Sequence, residues 1–108
     1  MDKMQAASAV AESLLATEAA VEKALGRAVS LMREMMDARR ALGLPISAAD
    51  PTLRRVSAAV DALGVAQREI LRTHGELEVL GTELGLRSAG FGPLVKPTGK
   101  ATEPQPTD

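Results

Sequence analysis

His74 is the only histidine in the 108-residue chain, and it stands beside Glu69, Glu76 and Glu78. An imidazole one helical turn from a carboxylate is the minimal grouping for general acid–base work, and in pairs or triads for zinc ligation. One histidine cannot build a multi-histidine metal site within one chain, and cysteine, the other soft ligand, is absent. Serines are present, but none forms a nucleophile–base constellation with this single imidazole. His74 therefore reads as a boundary residue at the edge of a helical seam, its polar tip satisfied by a local carboxylate. No catalytic residue, metal ligand or cofactor site is assigned, and the chain is expected not to be an enzyme.

Two other motifs carry little. Gly81–Gly85, "GTELG", has the small-xxx-small spacing of membrane helix pairs. The charges of Arg72, Glu76, Glu78 and Glu83 around it argue against a bilayer. "GFGP" is too short to cradle a phosphate and lacks the lysine and helix that a nucleotide loop needs.

Composition narrows the classes further. Thirteen basic and fourteen acidic residues are interspersed along the chain, giving a net charge of −1. There is no basic footprint for nucleic acid, and one aromatic residue, Phe91, offers no stacking platform. Asp2, Glu12 and Glu18 interrupt the N-terminal apolar stretch too early for a secretory h-region, and no run approaches a membrane span. A cytoplasmic chain without integral membrane association is expected.

The elements that position these residues are helices. Residues 3–42 contain no proline, one glycine and abundant alanine, leucine, methionine and glutamate. Met4, Ala11, Glu18, Leu25, Met32 and Arg39 recur every seven residues, as do Ala7, Leu14, Val21, Ala28, Met35 and Leu42. Together they form a helical seam with two polar intrusions. Leu15, Val29 and Met36 widen the stripe on one side, and Val10 and Leu31 on the other.

Gly43 is placed to end this helix, with Arg39 and Arg40 against the negative end of its dipole. A connector, 43–50, leads to Asp50–Pro51, an N-cap side chain followed by a first-turn proline. A second helix is predicted over 51–86, with Val56, Leu63, Ile70, Leu77 and Leu84 on one line and Ala59, Ala66 and Leu80 supporting it. Gly64, Gly81 and Gly85 fit best where another backbone comes close, and Gly75 is a weak point in one continuous helix. Residues up to 95 read as a short ordered extension and 96–108, rich in proline and threonine, as a flexible tail.

The expected fold is all-α: an antiparallel helical hairpin with a coiled-coil-like seam, 1–95, dimerising into a four-helix bundle. Val65, Val79 and Leu86 form a second apolar line about 200° round helix two, which a helix with one neighbour would not need. Interface candidates are Met32, Met35, Met36, Leu63, Val65, Ile70, Leu77 and Val79. The functional expectation is a self-associating adaptor, assembly or regulatory subunit, a homo-oligomer with a dimer favoured and a further protein partner allowed. The alternative is a peripheral lipid- or granule-surface binder acting through the broad apolar face of helix one.

Overall fold

The computed structural model describes residues 2–86. It contains two helices, α1 (Lys3–Ala41) and α2 (Ile46–Glu83), packed along their lengths as a hairpin, and no strand among the described residues. The expected ordered extension to 95 and the tail 96–108 lie outside these residues. At 1.5 Å per residue each helix is about 57 Å long.

α1 starts where its sequence supplies both halves of a capping box. The Asp2 carboxylate accepts from the Gln5 backbone N–H at 2.7 Å, and the Gln5 side chain accepts from the Asp2 N–H at 2.9 Å. Two otherwise orphaned donors are thereby satisfied.

Both helices end on the same tripeptide, Leu42-Gly43-Leu44 and Leu84-Gly85-Leu86, and for the same reason. Gly43 and Gly85 sit at φ +68° and +73°, in the left-handed region that disfavours a Cβ. The Leu44 N–H then reaches the Arg39 carbonyl at 3.0 Å and Gly43 the Arg40 carbonyl at 3.1 Å. Leu86 and Gly85 bond the Gly81 and Thr82 carbonyls in the same pattern, at 2.7 and 3.1 Å. Each end is a Schellman motif. The Gly43 stop is as expected; Gly85 is a terminator rather than a helical glycine. Leu42, expected in the seam, is the exposed cap residue beyond it.

The connector is shorter than the sequence reading placed it. α2 begins at Ile46, with Pro45 extended at φ −69°, ψ 160°, and not at Asp50–Pro51. Pro45 cannot continue a helix from α1, yet it leaves the next residue free to start one. Asp50, predicted as the cap, instead pairs with Arg54 at 2.7 Å one turn on. The extra turn and a half also extends the seam, since Ala49 is half-buried. Arg39 closes the link by donating from its guanidinium to the Leu44 carbonyl at 3.1 Å.

Pro51 consequently lies inside α2. Its ring has no N–H to give the Ser47 carbonyl one turn back, which is the usual cost of an interior proline. Pro51→Ala should restore that bond. The gain, offset in part by a freer unfolded chain, is expected to raise stability by about 1–2 kcal/mol in denaturant titration.

On α1 the buried and half-buried positions are Met4, Ala7, Ala11, Leu14, Glu18, Val21, Leu25, Ala28, Met32, Met35 and Arg39. These are the two seven-residue lines read from the sequence, less Leu42. On α2 the line Val56, Leu63, Ile70, Leu77 also faces α1, and the helix runs unbroken through Gly75. Its companion differs from expectation in part: Leu53, Val60, Gln67, His74 and Gly81 turn inward, whereas of the expected Ala59, Ala66 and Leu80 only Ala66 is half-buried, and Leu84 is 62% exposed.

Candidate functional site

The rotation of α2 is explained by one polar contact. Glu18, the acid within the apolar seam of α1, meets His74 of α2: His74 Nδ1 lies 2.5 Å from Glu18 Oε2. His74 is 5% exposed, and the Glu18 side chain 22%. An ionised carboxylate can only accept, so Nδ1–H is the donor in this pair. Turning α2 to bury Ala59 and Leu80 would improve its apolar match. It would also strand Glu18 against hydrocarbon, which costs more than the methyl groups gained.

His74 is therefore not at the seam edge beside a local carboxylate, as its spacing to Glu69, Glu76 and Glu78 had suggested. It is inside the seam and bonded across it. Periodicity within α2 favoured the more apolar line; the cross-helix pairing with Glu18 was the missing information. The clue available beforehand was that Glu18 needed a donor and that His74 lay seven residues from Gln67 and fourteen from Val60.

The pair also fixes register. Stepping seven residues in opposite directions along the antiparallel helices places Leu25 level with Gln67, and Ala11 with Gly81. Ala11 and Gly81 are both buried. Two small buried residues at one level suit close helix packing near the open end, and Gly81 stands there in the last turn of α2.

At that open end Lys3, Ala6, Ala7 and Val10 of α1 and Leu77, Leu80 and Gly81 of α2, with Leu84 and Leu86, line an almost wholly apolar groove of about 430 Å³. No group of three or more metal-ligating side chains exists among the described residues, and no helix there is long and apolar enough to cross a membrane.

The structure divides the predicted interface residues. Met32, Met35, Leu63, Ile70 and Leu77 are half-buried and face the partner helix of the same chain. Met36, Val65 and Val79 are exposed, Val79 at 58%. The first group is the seam of the hairpin; the second is surface.

Neither a family model, nor a curated protein, nor a solved structure matches this chain. The functional reading rests on its own residues.

Proposed function

We propose that the chain is a non-enzymatic, self-associating helical subunit with an adaptor, assembly or regulatory role, its hairpin pairing with a second copy into a four-helix bundle. The observation that carries this reading is the thinness of the core. Among the described residues only Ala11 and Leu14 are buried apolar side chains, and Val10, Leu15, Val29, Leu31, Leu71 and Leu80 remain close to half exposed. A two-helix layer has one internal seam. The apolar flanks on either side of that seam gain their burial only when another layer packs on them.

The chemistry supports the non-enzymatic part. The single imidazole is held by Glu18 and is almost inaccessible, so a substrate could reach it only by separating the helices. The outer surface carries ion pairs of ordinary solvated kind, such as Arg40–Asp37 and Arg72–Glu69.

Light scattering across a concentration series is the direct test. The expected result is a mass of two chains that persists into the low micromolar range. A folded monomer at all concentrations would contradict self-association. Comigration with lipid vesicles in a flotation gradient would favour the surface-binding alternative.

A further inference from the structure

We propose that the second copy packs on one identifiable face of the hairpin, the charge-free flank running from Val10 to Ala38 on α1 and from Thr52 to Leu80 on α2. This deepens the self-association reading and rests on it. The residue preceding each member of the Met4–Arg39 line, and of the Leu53–Gly81 line, falls on this flank. Apart from Lys3 at its open end, every such residue is valine, threonine, alanine or leucine. Val10 and Leu80 line the same apolar groove, which places the two halves of the flank side by side on one face. Leu31, Ala24, Ala59 and Ala66 continue that face toward the connector.

The opposite flank differs in charge. It carries Leu15, Val29, Met36 and Leu71, but also Glu22 and Glu78. In a two-fold dimer the same patch faces itself, so any charge on the patch enters the interface twice with the same sign. The Glu22 and Glu78 flank would bring four acids into one interface. The central line of the Val10–Leu80 flank brings none, its nearest charges being Arg27 and Glu34 of α1 and Arg55, Glu69 and Glu76 of α2 at the rim, so its centre can oppose its own copy without a like-charge cost.

Size and shape agree. Two helices 8–10 Å apart and about 57 Å long present a face of roughly 1,000 Å² per protomer, an uncharged centre with Arg27, Glu34, Glu69 and Glu76 on its rim, against about 800 Å² per partner in a standard stable interface. Its alanines and threonines keep the surface low, so the helices of two layers can approach closely. The half-buried seam residues beneath would then be covered from this side. Val65 and Val79, on the back of α2, stay outside this interface.

Sedimentation or light scattering of Leu31→Glu and Met36→Lys separates the two flanks. Leu31→Glu puts one acid from each copy into the interface and should weaken self-association about a hundredfold or more, with Met36→Lys close to the native chain. A native-like dimer for Leu31→Glu, or dissociation by Met36→Lys, would overturn the assignment of the face. A native chain that is already monomeric would instead remove the reading on which it rests.

Because Leu31→Glu could also unfold a hairpin that depends on its partner, a gentler probe accompanies it. The chain has no cysteine, so single variants Ala59→Cys, on the charge-free flank, and Ser57→Cys, on the other, report one site each. Under native conditions alkylation of Ala59→Cys should be at least about tenfold slower than that of Ser57→Cys, protection being lost on denaturation. Equal rates in a chain that is dimeric by mass would show that the second copy sits elsewhere.

Discussion

Ile70→Asp is expected to abolish most of the helical circular dichroism at room temperature. Ile70 lies on the inward line of α2, one turn before His74, and is half-buried against α1. An aspartate there places a second acid beside the one that His74 already serves, with no further histidine in the chain. The charge either remains desolvated or forces the helices apart. With loss of the packing of an isoleucine added, the cost is about 3–5 kcal/mol, a large part of the stability of a small domain. Val79→Asp, made on the exposed back of the same helix, should change stability by less than about 1 kcal/mol and controls for helix propensity. A native melting curve for Ile70→Asp would mean that the inward face of α2 has been misassigned.

How far such faces could be read from the sequence depended on the helix. In α1 one pattern dominates: the Met4 and Ala7 lines lie at the centre of the apolar stripe, between Leu15, Val29 and Met36 on one side and Val10 and Leu31 on the other, so the inward face follows from spacing alone. In α2 two rotations compete. Val56, Leu63, Ile70 and Leu77 are common to both, but the companion line could be Ala59, Ala66 and Leu80 or Val60, Gln67, His74 and Gly81. Hydrophobicity favours the first, and the structure adopts the second, keeping only Ala66 of the first half-buried. The deciding term is a bond between residues 56 positions apart, and no periodicity within one helix contains it.

The start of α2 was missed for a related reason. Asp50–Pro51 has the local chemistry of a helix start, whereas Pro45 has no side-chain acceptor and caps nothing. What favours the earlier start is non-local: Ala49 continues the Val56 line that faces α1. Local capping rules and tertiary packing disagree over five residues, and packing prevails at the expense of one bond at Pro51.

Breaking the Glu18–His74 pair from either side is expected to destabilise the hairpin, and removing both residues together is not. Glu18→Leu leaves the His74 ring in the seam without its carboxylate. His74→Leu leaves Glu18 facing hydrocarbon. Each variant should cost about 2–3 kcal/mol in denaturant unfolding, because one side of a part-buried hydrogen bond is removed while the other stays in the seam. The double variant, Glu18→Leu with His74→Leu, replaces two mutually dependent polar groups by apolar ones on the same seam, and should return to native stability or exceed it. The pair's contribution would then lie in specificity. With leucine at both places, sliding α2 by seven residues no longer sets Glu18 against Gln67 or Gly81, so alternative registers come closer in energy. Doubled or broadened amide resonances in the stable double variant, against a single set in the native chain, would register that loss. If the single variants fall within about 0.5 kcal/mol of native and their effects add, the pair is uncoupled, and the inward rotation of α2 must be set by something other than the need to satisfy Glu18.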